Sequence, residues 1–281
     1  MRIRGLAYCF SSSIPFLSMS IVHSSKLILF DLDGTLYLSG VLFPGVRELI
    51  EKLSHSRLQY GFLTNNSMIG PDDYYRKLKD LGLILTPHNV VTSCEASCLM
   101  LEGMNLGPDI YILGTQKFRA FMESQGYRHT VDHPSALLIA FDTELTYQKL
   151  TEAARLVLAG VPIVASHPDP ICPGDLPDAG LLLEYFKAVK PGTIIQAIAG
   201  KPHHWLVELL EQRFQVKRSE IIMVGDRVQT DMRFAANFGM RSMLVLNGQP
   251  QPELGDIRPD AIVPNIAQLL DEFWPEKLGW C

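Results

Sequence analysis

With 281 residues, 47% hydrophobic and 20% charged, the chain can bury a full core and fill one large domain or two modest ones. Its formal net charge of -5 leaves no basic surplus to neutralise a nucleic-acid backbone, which excludes a polyanionic partner. The five cysteines, Cys9, Cys94, Cys98, Cys172 and Cys281, are odd in number and have no zinc-knuckle spacing, so reduced thiols in a cytoplasmic compartment are expected.

Residues 1–26 hold Arg2, Arg4 and Lys26, seven serines and no acid. A basic, Ser-rich, acid-poor stretch reads as a transit-type leader, and Met19 offers the alternative of an over-long start. No later apolar run approaches the roughly 20 residues of a membrane helix, so no membrane partner is expected.

The first strand is expected at Lys26–Phe30, an apolar run stopping at Asp31, and the first helix at Pro44–His55, where Val46, Leu49, Ile50 and Leu53 share a face. A strand at Gln59–Leu63 ends in Thr64-Asn65-Asn66-Ser67. A helix at Asp72–Leu81, a short strand at Asn89–Val91 and a helix at Ser93–Glu102 follow, the last with Ser93 as N-cap and Glu95 in its first turn. A second α/β series then runs through strands at Ile110–Leu113, Ala136–Ala140 and Pro162–Ala165. Its helices are expected near Lys117–Gly126, at Thr146–Ala159 and, after a Pro- and Gly-rich loop over 167–180, at Leu181–Val189. The first rhythm resumes with helix Trp205–Phe214, strand Ile221–Val224 ending at Gly225-Asp226, helix Thr230–Phe238 and strand Met243–Leu246. Such alternation implies an α/β fold built on a mainly parallel sheet with helices on both faces.

Four polar clusters fall at expected strand tips or helix starts: Asp31-Leu32-Asp33-Gly34-Thr35, Thr64-Asn65-Asn66, Gly200-Lys201-Pro202, and Gly225-Asp226-Arg227 with Thr230-Asp231. Any one of them is commonly a turn or a cap. Together, each closing an apolar run, they supply a carboxylate nucleophile, carboxylates for a metal, a hydroxyl, amides and one fixed cation. That inventory suits phosphoryl transfer, which depends on positioning the group and offsetting its charge. Asp31, the Asp33 carbonyl and Asp226 form a hard-oxygen set for Mg²⁺, leaving the Asp33 side chain for acid–base work.

The clusters resemble the motifs of the haloacid dehalogenase superfamily. Within it, Asp33-Gly34-Thr35-Leu36-Tyr37, Thr64-Asn65-Asn66-Ser67, Gly200-Lys201-Pro202 and Gly225-Asp226-Arg227 look like subclass IIA, the para-nitrophenylphosphatase and pyridoxal phosphatase relatives. Leu145–Leu150 and Gly239–Ser242 are further matches. The resemblance implies a Rossmann-like parallel-sheet core, residues 27–104 and 197–281, interrupted by an α/β C2-type cap at 105–196 that sets specificity. It also implies a Mg²⁺-dependent phosphatase of small phosphorylated metabolites, with a homodimer through the cap. Asp31 would be the nucleophile forming an aspartyl-phosphate, and Asp33 the acid and then base. Thr64, Asn65 and the Asn66 backbone would hold phosphoryl oxygens, Lys201 would offset their charge, Asp226 would complete the metal site and Asp231 would support it.

The cap departs from that pattern. Ser166-His167-Pro168-Asp169 stands where relatives have Thr-Asn-Pro-Asp, and Pro177-Asp178-Ala179-Gly180 replaces a Pro-Gly-x-Gly run. Cys172 takes the place of a substrate-contacting His, which argues against pyridoxal phosphate. His167 and Cys172 serve equally well as loop packing or as ligand contacts. A phosphomutase using the same Asp31, or a non-catalytic metabolite binder of the same fold, stays open at this stage.

Overall fold

The computed structural model describes residues 24–172 and 175–274; Cys9, Cys281 and nearly all of the leader stretch lie outside them. Two parallel sheets carry the chain. The strands, in order, are β1 (Leu27–Phe30), β2 (Tyr37–Leu38), β3 (Val41–Leu42), β4 (Gln59–Thr64), β5 (Val90–Thr92), β6 (Asp109–Leu113), β7 (Arg128–His129), β8 (Leu137–Ile139), β9 (Ile163–Ala165), β10 (Ile171–Cys172), β11 (Leu176–Pro177), β12 (Ile195–Ile198), β13 (Ile221–Gly225), β14 (Arg241–Val245) and β15 (Ala261–Val263). The larger sheet has the order β15-β14-β13-β1-β4-β5, and the second has the order β12-β9-β8-β6-β7. The helices are α1 (Val46–Ser54), α2 (Pro71–Asp80), α3 (Ser93–Gly103), α4 (Gln116–Ser124), α5 (Tyr147–Ala159), α6 (Ala179–Val189), α7 (Trp205–Phe214), α8 (Arg233–Phe238) and α9 (Gln268–Phe273). None is long and apolar enough to cross a membrane.

Period-two burial makes β1 the spine. Leu27 and Leu29 face one way, into a cluster with Met100 of α3, Leu206 and Leu210 of α7 and Phe234 of α8. Ile28 and Phe30 face the other way, onto Val46, Leu49 and Ile50 of α1 and Tyr74 and Leu78 of α2. A strand buried on both faces reads as an unbroken apolar run, which is why it was legible. The cluster on the Leu27 face continues through Ile110 and Ile112 of β6, Leu138 of β8 and Val164 of β9, so the two sheets share one core across α3. Tyr111, Leu113, Leu137 and Ile139 face the opposite side of the second sheet, where α5 and α6 cover them.

Several elements differ from the expectations. The N-cap of α3 is Thr92, not Ser93. Glu95 Oε2 accepts from the Thr92 backbone N–H at 3.0 Å and Thr92 Oγ1 accepts from Glu95 N–H at 3.5 Å, a capping box. Ser93 Oγ instead donates to the Asn65 carbonyl at 2.6 Å, tying α3 to the loop after β4. The expected loop over 167–180 contains the antiparallel pair β10–β11, and α6 starts at Ala179. Residues 228–232 make one π-helical turn before α8, where a single helix from Thr230 was expected. The β2–β3 hairpin, β12, β15 and α9 were not foreseen.

Glu95 closes the α3 cap and also pairs with Arg213 of α7 at 2.6 Å. Glu95→Ala should cost about 1–3 kcal/mol, read as a shift of the urea midpoint at constant slope, and Glu95→Gln should recover part of it by keeping a capping oxygen.

Candidate active site

The neighbours of β1 are β13 and β4, both parallel to it, so three adjacent strands deliver their C-terminal tips to one edge. Asp31 leaves the central tip, its N–H donating to the Val224 carbonyl at 2.9 Å. Asp226 leaves the β13 tip, and Thr64 to Asn66 leave β4 on the other side. This is where an open parallel sheet places ligands.

Lys201 enters from the segment after β12 and is 1% exposed. Its ammonium donates to Asp31 Oδ1 at 2.6 Å, Asp231 Oδ1 at 2.7 Å and the Leu63 carbonyl at 3.1 Å, using all three N–H bonds. Burial alone would lower its pKa, but the Asp231 and Asp31 carboxylates outweigh that and raise it, so the cation is permanent. Asp231 Oδ2 accepts from the Arg227 backbone N–H at 3.1 Å, which leaves Asp231 fully engaged in holding Lys201 and the loop after β13.

Carboxylate oxygens of Asp31, Asp226 and Asp231 lie within 4.8 Å of one another. Burial first, then the Asp31 and Asp231 charges, raise the Asp226 pKa against the lowering charge of Arg227. Such a cluster fits a hard divalent cation. Thr35 Oγ1 donates to Asp226 Oδ1 at 2.9 Å and orients it. Gly34, at φ +92°, is required here twice over: its backbone is left-handed, and a Cβ would overlap the Asp226 carboxylate.

Asp33 points away from this cluster. Its Oδ2 accepts from the Tyr37 hydroxyl at 3.3 Å, and burial raises its pKa against the lowering charge of Lys77. Two carboxylates of one motif therefore have different surroundings, Asp31 against a cation and Asp33 largely desolvated.

The amide residues divide unequally. Thr64, 2% exposed, accepts from the Asn66 N–H at 3.1 Å and lines the cleft. The Asn65 side chain, expected on phosphoryl oxygens, is spent on protein: Nδ2 donates to Asp169 Oδ2 at 2.8 Å and the Lys201 carbonyl at 2.9 Å, and Oδ1 accepts from the Lys201 N–H at 2.8 Å. It fixes the Lys201 backbone to the cap. Asn66 Oδ1 caps its own turn, accepting from Met68 N–H at 3.0 Å, and its Nδ2 approaches Cys172 Sγ at 3.7 Å.

Cys172 lines the cleft as a neutral thiol, its pKa pushed up to about 12 by burial and the nearby Asp33 charge. His167 does not reach the cleft; it is 0% exposed, with Nε2 2.8 Å from Asp178 and Nδ1 2.8 Å from Ser166 Oγ. Four cleft residues had no expected role: Asp169, Asp178, Arg227 and Thr230. Arg227 pairs with Asp169 Oδ1 at 2.9 Å and donates to the Ile171 carbonyl at 3.2 Å. With Asn65 on the other carboxylate oxygen, Asp169 is clamped between the two sheets' loops. Asp169 closes the Ser166–Asp169 run and Arg227 closes Gly225-Asp226-Arg227, so both positions are conspicuous in the sequence, but their pairing is not.

Residues 28–128 match the family model described as haloacid dehalogenase-like hydrolase, and residues 198–269 match a second HAD-hydrolase-like model. A 4-nitrophenylphosphatase of Thermotoga maritima superposes with a TM-score of 0.82 at 35% identity, covering 89% of this chain and 97% of that one. An acid sugar phosphatase of Staphylococcus aureus is 30% identical over 227 residues, 79% of this chain and 87% of its own. The chain belongs to the haloacid dehalogenase superfamily, subclass IIA. It is a phosphoric monoester hydrolase. A glycerol phosphate phosphatase of Mycobacterium tuberculosis, solved with calcium, is 29% identical with a TM-score of 0.72, over 82% of this phosphatase and 69% of that chain.

Lys201→Met would strand two buried carboxylates in this phosphatase. The loss near neutral pH should be about 3–5 kcal/mol, and smaller near about pH 5, where protonation relieves the stranded charge. Chemical denaturation at the two pH values measures it.

Proposed function

We propose that this phosphatase hydrolyses small, polar phosphomonoesters in two steps through Asp31, with Mg²⁺ as its cation. The observation that carries the reading is the Lys201 ammonium, 2.6 Å from Asp31 Oδ1 and inaccessible to water, at the tip of the central strand. It holds one oxygen of Asp31, and the other, 3.3 Å from the Thr35 hydroxyl, attacks phosphorus. As that bond forms, the bond from phosphorus to the leaving oxygen breaks, and Asp33 donates the proton the leaving oxygen needs. Asp33, now a carboxylate, takes a proton from the water that opens the aspartyl-phosphate, which releases phosphate and restores Asp31. The Thr64 hydroxyl and the Lys201 ammonium offset charge on the phosphoryl oxygens. Asp31, the Asp33 carbonyl and Asp226 would hold Mg²⁺, which supplies the positive charge a carboxylate needs to approach a phosphate.

The leaving-group side of the cleft presents the Arg227 guanidinium, the Asp169 carboxylate and the Cys172 thiol. That lining favours a compact alcohol with hydroxyls over an aromatic aldehyde. The names of the acid sugar and glycerol phosphate phosphatase relatives agree with this class. We place the cap that supplies Asp169 and Cys172 at residues 105–196.

Phosphate release from a panel of polyol and sugar phosphates should require Mg²⁺ and vanish in chelator, and Asp31→Asn should lower it by about 10³-fold or more. An isomerised phosphoester in place of free phosphate would instead identify a mutase. Arg227→Ala should raise KM for polyol phosphates by about 10-fold, with a smaller effect on kcat.

A second prediction follows from Asp226. Its folded pKa is raised, so between its ordinary value and that raised one the native state holds more protons than the unfolded chain, and stability in chelator falls as pH rises. Mg²⁺ binds the ionised site and opposes the fall. The rise in Tm on adding Mg²⁺ should therefore be larger at about pH 8 than at about pH 5.

A further inference from the structure

Tyr37 closes the sequence run that begins at Asp31. It is 0% exposed, on β2, the first strand of the hairpin that follows the catalytic loop. Its hydroxyl lies 3.3 Å from Asp33 Oδ2, and Lys77 of α2 donates to the same hydroxyl oxygen at 2.9 Å, with its ammonium 4.4 Å from the Tyr37 ring centre. Asp33 Oδ1 has no hydrogen-bond partner among the described residues, and the Asp33 side chain lines the cleft.

We infer that Tyr37, held by Lys77, is a positioning residue that selects which oxygen of Asp33 carries the transferable proton. The inference rests on the acid–base reading of Asp33 above. A phenol has one proton to give. Lys77 has no acceptor and fills the hydroxyl's lone-pair side, so the Tyr37 proton is directed to Asp33 Oδ2. An oxygen that already accepts a hydrogen bond is a poor seat for the acid's own proton, which is thereby left on Oδ1, the oxygen without a protein partner. In the first step the bond from phosphorus to the leaving oxygen breaks, the Oδ1 proton passes to that oxygen, and Asp33 remains as a carboxylate that Tyr37 still solvates at Oδ2. The polarising ammonium strengthens the donation as that charge develops. A separation of 3.3 Å is long for O–H···O, as such bonds often are before substrate is bound.

The test is the leaving-group dependence of kcat/KM, which reports the step up to aspartyl-phosphate formation. An alkyl phosphate such as glycerol 3-phosphate needs a proton on its leaving oxygen, whereas 2,4-dinitrophenyl phosphate needs almost none. Tyr37→Phe, with Mg²⁺ present, should lower kcat/KM for the alkyl ester by about 10-fold or more and for the dinitrophenyl ester by far less. Lys77→Met should show the same split, weaker, and the double variant should be no worse than Tyr37→Phe, because the two act in series. Asp33→Asn, run in parallel, should show the split most strongly.

Equal losses on both esters for Tyr37→Phe and for Lys77→Met, or additive losses in the double variant, overturn the inference. If Asp33→Asn shows the split and neither Tyr37→Phe nor Lys77→Met does, the inference alone fails. If Asp33→Asn shows no split, the acid–base reading of Asp33 fails and takes the inference with it. Binding of inorganic phosphate, measured by competition, should stay within about 2-fold in the Tyr37 and Lys77 variants, since neither side chain is placed on the phosphoryl oxygens.

Discussion

Everything at the sheet edge depends on one ammonium closed off from water. Lys201 sits between Asp31 and Asp231, and no other protein cation among the described residues is bonded to either carboxylate. A buried cation of this kind costs several kcal/mol to desolvate and is tolerated only because two carboxylates and a carbonyl fill its donors. The geometry of Asp31 then follows. One oxygen is pinned by the ammonium, which fixes the direction of the side chain. The arrangement is also unbalanced, since Asp31, Asp226 and Asp231 outnumber the one cation among them. Burial and, after it, the neighbouring Asp31 and Asp231 charges raise the pKa of Asp226.

The cap is joined to this edge by more than its two chain crossings. The apolar core runs without a break from β1 through α3 to β6 and β9. Above it, Asn65 reaches both Lys201 and Asp169, and Arg227 takes the other oxygen of Asp169. The same few residues therefore fix the Lys201 backbone and the cleft wall that carries Asp169. Under the proposed mechanism, specificity and chemistry share that frame, which lets binding energy on the leaving group act at the phosphorus.

The strand tips were legible because burial on both faces turns a parallel strand into an apolar run, and a carboxylate ending such a run is conspicuous. Asp31, Asp226 and Thr64 were all found that way. What could not be read were choices among equivalent residues and contacts across the insertion. Thr92 and Ser93 both qualify as caps for α3, and the decision rests on the Asn65 carbonyl, which draws Ser93 away. Asn65 looked like a phosphate ligand because an amide at a strand tip is suited to that. Its actual partners, Asp169 and Lys201, lie more than a hundred residues downstream and meet it only once the cap has folded. The strands β2, β3 and β15 are too short to show a period.

The two aspartates of the first motif show how local structure separates chemical roles. They are two positions apart and would share a face in a continuing strand. The strand ends at Phe30, so neither aspartate lies in it, and Asp31 meets Lys201 while Asp33 lies against Tyr37. Asp31 sits 2.6 Å from the Lys201 ammonium, while desolvation around Asp33 favours its protonated form. A nucleophile must be charged and a general acid must hold a proton at the same moment. Under the proposed mechanism, a short loop that gives the two carboxylates different partners makes that pair of states compatible.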